Sequence, residues 1–409
     1  MNPVSLPVAL KVRPEVAVAA TKSAMGLSTR PTRQAFIALL AVFLGCQWCH
    51  AAVLPEDRLD LLYHVYDGDN ATIQGPSILV RKAVNENISV HANYYVDLVS
   101  SASIDVQATA SAYEEQRNEA TVGVDYLIDN TTMSLSMTGS DEGDYTARSL
   151  SFGISQVLFG DLTTISLSAG AGQDEVRRNN DDSFSDTLTR RRFAINVSQI
   201  LTKDLIVGFS VESIADQGYL NNPYRSVRFA DPTSDRGFSY QAEIYPRTRN
   251  SDALAVRVMY YLPWRASLRG EYRHFSDSWD ITANNTELTL IQPVDSLAEG
   301  LTLELKLRSY SQTAANFYSD LFPFRDAQTF LARDKELSQF TTRSIGVGAS
   351  YEFKPPLDSL DKSSVNLYWD YMQFRYSNFN NVLAGGEAGS EPAFGFDANV
   401  VRLFFSVWY

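Results

Sequence analysis

The sequence predicts an all-β protein, a closed antiparallel transmembrane β-barrel of about sixteen strands, with fourteen or eighteen as the neighbouring counts. Three observations lead there. Apolar and polar residues alternate with period two along most of the chain beyond residue 51. The connections between these runs alternate between short and long. No apolar run is long enough for a membrane-crossing helix.

The first element is an address. Residues 35–45 (AFIALLAVFLG) form an apolar run preceded by Arg30 and Arg33 and followed by Cys49-His50-Ala51. At about 1.5 Å of rise per residue the run falls short of a hydrocarbon core of about 30 Å. A basic lead, a short apolar stretch and small residues before a cut predict a signal peptide over residues 1–51. Met25 is an alternative start, and Phe43-Leu44-Gly45-Cys46 a poorer, lipoprotein-type cut. Cutting after Ala51 removes both cysteines, Cys46 and Cys49, and leaves residues 52–409 as one barrel domain without a disulfide.

The strands follow in order. Segments 59–66 and 76–84 come first. In 88–99, Ile88, Val90, Ala92, Tyr94, Val96 and Leu98 oppose Ser89, His91, Asn93, Tyr95 and Asp97. Segment 119–129 leads to 131–139, where Met133, Leu135 and Met137 oppose Ser134, Ser136 and Thr138. Segments 145–158, 162–172, 190–200, 204–215, 253–262, 265–275 and 283–292 continue the series. The clearest case is 301–311, where Leu301, Leu303, Leu305 and Leu307 share one face and Thr302, Glu304, Lys306 and Arg308 the other. In 340–353, Ile345, Val347, Ala349, Tyr351 and Phe353 oppose Gly346, Gly348, Ser350 and Glu352. In 363–375, Val365, Leu367, Trp369 and Tyr371 oppose Asn366, Tyr368 and Asp370. Segment 397–409 closes the set, with Val401, Leu403, Phe405, Val407 and Tyr409 on one face.

A soluble sandwich shows the same alternation, so the connections decide. Those at 85–87, 129–130, 160–161, 203–204, 263–264, 293–300 and 355–362 are short, while 100–118, 173–189, 216–252, 311–339 and 376–396 are long. Short periplasmic turns and long extracellular loops distinguish outer-membrane barrels. The reading keeps residues 237–245 inside a loop, because a strand there would break the parity. The aromatic-ended last strand, finishing at Tyr409, resembles the signal read by the barrel-assembly machinery, which with outer-membrane lipid is the expected partner.

Charge and composition exclude several functions. Asp+Glu number 48 against 35 Lys+Arg, a net charge of −13 that disfavours nucleic acid. With two cysteines and four histidines, no cofactor or metal is expected. His274 and Ser276 share a face, but no third orienting group accompanies them, so no enzyme is expected. Asp181, Asp182 and Asp186 lack the spacing of an EF-hand loop. Sixteen strands would enclose an aqueous lumen. Its expected lining is Arg192, Arg269, Glu271, Arg273, Glu304, Lys306, Arg308, Glu352, Asp370 and Arg402, either a functional pore surface or charges paired across strands. The loops offer Asp105, Glu114 and Arg117 in one segment and Asn222, Pro223, Tyr224 and Arg225 in another, as ligand surfaces, pore-narrowing inserts or solvated loops.

Six separated stretches also carry a family resemblance: YYVDLVSSASIDV (94–106), AYEEQRNEATVGVDY (112–126), GYLNNPYRSVR (218–228), YPRTR (245–249), EYRHFSDSWDI (271–281) and LRSYSQTAANFYSD (307–320). In these, from about residue 58 to 409, the chain resembles the bacterial outer-membrane family known as domain-of-unknown-function family 3570. The resemblance implies a Gram-negative outer-membrane barrel of unassigned substrate and transfers no catalytic residue. Its flavin-attachment and thioredoxin-like gene neighbours imply a link to envelope redox work. The expected function is a passive or lightly selective channel for small solutes of unknown identity. The competing expectation is a plugged barrel serving as a binding or scaffolding platform for an envelope system.

Overall fold

The computed structural model describes residues 52–101, 113–179 and 181–409. The expected signal peptide and Asp105 lie outside the described residues. The chain forms β1 (Arg58–Gly68), β2 (Ala71–Asn85), β3 (Ile88–Ser101), β4 (Tyr113–Ile128), β5 (Thr131–Asp141) and β6 (Tyr145–Leu158). There follow β7 (Thr163–Arg177), β8 (Ser185–Thr202), β9 (Leu205–Gly218), β10 (Ser226–Ala230), β11 (Phe238–Ala242) and β12 (Thr248–Tyr261). The last six are β13 (Ser267–Asp277), β14 (Thr282–Pro293), β15 (Leu301–Gln312), β16 (Phe340–Phe353), β17 (Lys362–Asn380) and β18 (Ala393–Trp408).

Sixteen of these, β1–β9 and β12–β18, pair antiparallel with their chain neighbours, and β1 pairs with β18 to close a barrel. Closure leaves no wall strand with an unpaired edge, the condition lipid imposes on a sheet. The remaining two, β10 and β11, form a separate hairpin inside the β9–β12 connection. Phe238–Ala242 is thus a strand, but it pairs outside the wall and the barrel parity survives.

The connections sort by end. Residues 86–87, 129–130, 159–162, 203–204, 262–266, 294–300 and 354–361 turn the chain at the end where Arg58 and Trp408 lie. At the other end two connections, 219–247 and 313–339, are much longer. That end also holds tight turns. Asp69 and Asn70 join β1 to β2 with φ of 53° and 52°, the left-handed pair of a type I′ turn.

Several strands run further than the alternation predicts. β4 starts at Tyr113, so Glu114 and Arg117 are strand residues, a correction to their placement in a loop. β7 reaches Arg177, β8 starts at Ser185 and β17 reaches Asn380. β2 begins at Ala71, within a stretch left unassigned by pattern. All these extensions lie toward the long-loop end. There both faces of the wall carry polar residues, so period two no longer marks a strand that its hydrogen bonds still define.

The outer face carries a belt of exposed apolar side chains on every part of the wall, among them Leu61, Ile78, Val122, Leu150, Phe193, Phe209, Leu288, Leu305, Val347, Leu367 and Leu403. Toward the long-loop end the belt finishes in aromatic residues whose polar tips reach polar acceptors. Tyr63 Oη donates to Gln74 at 3.2 Å, Tyr94 Oη to Asn118 at 3.0 Å, Tyr272 Oη to Asn284 at 2.7 Å and Trp369 Nε1 to Asn399 at 3.1 Å. An apolar ring body with a satisfied polar tip suits a lipid–water boundary.

Candidate functional site: the lumen and its mouth

All ten residues expected to line the lumen stand on the inner face, alternating with exposed apolar residues on the outer one. They do not form one cluster. Asp370 on β17 accepts from Arg402 Nη2 on β18 at 2.5 Å, and its other oxygen lies 2.6 Å from Lys306 Nζ on β15, across β16. Glu212 on β9 accepts from Arg192 Nε at 2.5 Å and Arg273 Nη2 at 2.7 Å. Glu271 accepts from Arg257 Nε at 2.8 Å, and Arg308 Nε donates to Asn285 Oδ1 at 2.6 Å. Glu352 stands apart at the short-turn end, 3.7 Å from Lys362 Nζ. Arg269 and Glu304 have no close ionic partner among the described residues.

Exposure within these pairs is unequal. On β8 and β9 the side chain of Arg192 is 54% exposed while its partner Glu212 is 7%; Arg190 is 50% and its partner Asp216 12%. Arg249 on β12, 27% exposed and 4.5 Å from the centre of the Trp279 ring, covers a fully buried Asp277. The carboxylates lie against the wall and the guanidinium groups reach into the lumen. Facing them, β1, β3 and β4 carry a closed chain of contacts. His64 Nε2 lies 2.9 Å from Asp97 Oδ1, Arg117 lies 3.7 Å from Asp97, and Arg117 Nη2 donates to Glu119 Oε2 at 2.7 Å. Arg117 thus faces the lumen, whereas Glu114 is exposed on the outward-pointing side of β4.

The NNPYR segment crosses the long-loop mouth. Tyr224 Oη donates to Asp144 Oδ2 at 2.5 Å in the β5–β6 turn and accepts from the Asn179 amide at 2.6 Å in the β7–β8 connection. Asn222 Oδ1 holds the turn by accepting from the Tyr224 amide at 2.9 Å, and the Pro223 carbonyl accepts from Arg178 Nη2 at 2.9 Å. Next along the chain, Arg225 Nη1 lies 2.9 Å from Asp334 Oδ1 in the β15–β16 connection. These four residues are therefore a strap between two sides of the mouth.

Beneath the strap lies a hub that the sequence reading did not single out. Arg228 is fully buried and donates to Asp320 and, at 2.5 and 3.0 Å, to both oxygens of Glu391. Arg333 Nη2 lies 2.9 Å from the same Asp320, with its guanidinium 4.4 Å from the centre of the Phe379 ring. Three connections, 219–247, 313–339 and 381–392, are thus tied through two arginines and two carboxylates. Lys335 adds an ion pair to Asp69 in the β1–β2 turn. A signal existed, since Arg228 and Asp320 are the final residues of two stretches that carry the family resemblance. Below the hub Tyr66, Phe340, Phe374, Tyr376, Phe379 and Val400 pack from the wall as an apolar floor.

Two carboxyls at this mouth are displaced from their ordinary range. Burial, followed by the negative charge of Asp334, pushes Glu243 up to about 7 despite Arg225 nearby. Burial also pushes Glu142 in the β5–β6 turn up to about 7, with Glu115 and Asp144 opposing the effect of Arg117. His274 Nδ1 lies 2.9 Å from Asn284 Oδ1 on the adjacent strand, where Tyr272 also donates. Asp181 accepts from Ser183 Oγ at 2.6 Å and Asp186 from both terminal nitrogens of Arg247.

A family model described as "Protein of unknown function (DUF3570)" matches residues 105–378. No curated protein matches the chain. Among solved structures, it is similar to a bacterial polysaccharide outer membrane secretin, at 7% identity and a TM-score of 0.46 over 87% of this chain and 100% of that one. It is similar to the outer membrane protein OpdK of Pseudomonas aeruginosa, at 11% identity and 0.42 over 86% and 99%. The likeness to OprD of the same organism is 10% and 0.41 over 87% and 96%.

Proposed function

This chain belongs to the DUF3570 family, and we propose that it is an outer-membrane channel favouring small anionic solutes. The exposed apolar belt and its aromatic boundary support insertion in the outer membrane, with the long connections outside the cell and the short turns in the periplasm. Residues 1–51 would direct export, and β18 would be the strand offered to the assembly machinery. One observation carries the selectivity: the side chains of Arg190 and Arg192 on β8 and Arg273 on β13 are 41–54% exposed, while their partners Asp216 and Glu212 on β9 are 7–12% exposed. A wall patch of one charge sign reaching into a pore raises the local concentration of the opposite ion.

Planar bilayers containing the purified chain test this. Under a potassium chloride gradient the reversal potential should report chloride preference. Arg192→Ala with Arg273→Ala leaves Glu212 without its two cations and should move the preference toward potassium. An unselective or potassium-selective native pore would refute the reading.

A second reading rests on the Arg228 hub and the aromatic floor beneath it. A mouth tied shut would make the barrel a binding or scaffolding platform for an envelope partner, redox-linked or otherwise. A folded, inserted protein with no conductance favours that reading over the channel.

A further inference from the structure

Two outward-facing arginines lie just beyond the apolar belt with no carboxylate paired to them among the described residues. Arg148 on β6 follows the exposed Leu150 and Phe152 toward the long-loop end, and Arg191 on β8 follows Ile195 and Phe193. Both side chains are on the lipid-facing side, since Leu150 pairs with Ala171 and Ala171 with Arg191 across β7. Both residues are exposed, and among the described residues neither has an ion-pair or hydrogen-bond partner. That contrasts with Arg375 on β17, which is 2.8 Å from Asp397.

The surface around them is low. Arg191 is flanked on its two neighbouring strands by Ala171 and Ala215, and Arg148 by Gln173 on β7 and by Gly139 on β5, beside which a side chain would meet nothing within 4 Å. On β7, Ala169 and Ala171 lie between Leu150 and Phe152 of β6 and Phe193 of β8 and make a shallow trough running down from the arginines into the belt. Strand spacing and rise put the two arginine Cα atoms roughly 12 Å apart, on either side of β7. The outward-facing acids of β5 and β7, Asp141 and Glu175, stand further toward the loops and are engaged, with Thr146 at 3.0 Å and Ser185 at 3.2 Å.

Resting on the membrane reading above, we infer that this wall, from β5 to β9, binds a bisphosphorylated glycolipid of the leaflet on the long-loop side. Arg148 and Arg191 take its two phosphates and the alanine trough takes an acyl chain. Unpaired guanidinium groups at headgroup depth need an anion, and Arg matches phosphate through paired donors. A headgroup with two phosphates suits two cations separated by a strand better than a phospholipid with one.

The test uses the full chain in lipid nanodiscs and titrates lipopolysaccharide, the same lipopolysaccharide after phosphatase treatment, phosphatidylglycerol and inorganic phosphate. The native protein should bind intact lipopolysaccharide at least about tenfold more tightly than Arg148→Ala/Arg191→Ala, with both migrating as folded, heat-modifiable barrels. Phosphatase treatment should lower binding to the level of the double variant. Equal binding by native and variant proteins overturns the inference. So does equal binding of the dephosphorylated lipid, displacement by phosphatidylglycerol at equal concentration, or displacement by millimolar phosphate. A native chain that fails to enter nanodiscs at all refutes the membrane reading instead.

Discussion

Arg228 sits fully buried at the junction of three connections, and of its two carboxylate partners Glu391 has no second cation among the described residues. Arg333 reaches Asp320 alone. Arg228→Leu therefore leaves Glu391 buried and unpaired, a loss of about 3–5 kcal/mol by analogy with other broken buried pairs. The wall does not depend on this contact. The expected outcome is a barrel that still resists denaturant while limited proteolysis cuts within 219–247 or 381–392 far faster than in the native chain. Glu243 gives the mouth a pH dependence whose sign follows from its raised value. An ordinary glutamate titrates near 4.3, so between about 4.3 and about 7 the closed mouth holds a proton that an opened one releases. Closure is most stable below that window, weakens as pH rises through it and levels off above about 7. Glu142 acts in the same direction. The carboxyl of Glu391, held low against its burial by Arg228, matters only in stronger acid. Conductance measured from pH 8 to pH 5.5 should fall, and Glu243→Gln should flatten part of that change. The lumen residues were legible because each is a charged residue in an alternating run. Arg228 was not, because a cation in a loop looks the same whether it is solvated or buried.

At the scale of the element, the strands read from period two are all present, and the errors are in their ends. Lipid enforces alternation only across the belt. Beyond it, Glu114 to Asn118 and Gln173 to Arg177 continue as strand with polar residues on both faces, and the pattern is silent there. The β10–β11 hairpin was equally hidden, since five-residue strands within a connection carry too little sequence to show a period. Gly75 shows a constraint of another kind. A β-carbon at this position would lie 1.9 Å from the Val96 carbonyl oxygen, so β2 and β3 approach there only because the side chain is absent. Gly75→Val should cost about 1–3 kcal/mol. The check is the urea midpoint of the folded barrel in vesicles, which should fall for Gly75→Val and stay near native for Gly139→Val, where there is open space.

In the whole molecule, closure, an apolar outside and a charged inside go together. Sixteen strands and the β1–β18 seam were legible because an even count with alternating connection lengths leaves one arrangement in which every wall strand is paired. The mouth was not, because the contacts that tie Arg228 to Glu391 or Lys335 to Asp69 join residues far apart in the chain and follow no local rule. Alternation along β15 tests the central claim directly. With Cys46 and Cys49 replaced by serine, single cysteines placed along this strand would be probed in vesicles with a membrane-impermeant maleimide. Thr302, Glu304 and Lys306 positions should react, while Leu303, Leu305 and Leu307 positions should be protected until detergent or denaturant is added. Equal reaction at both sets, or protection of the even set alone, would contradict a barrel with lipid outside and water within.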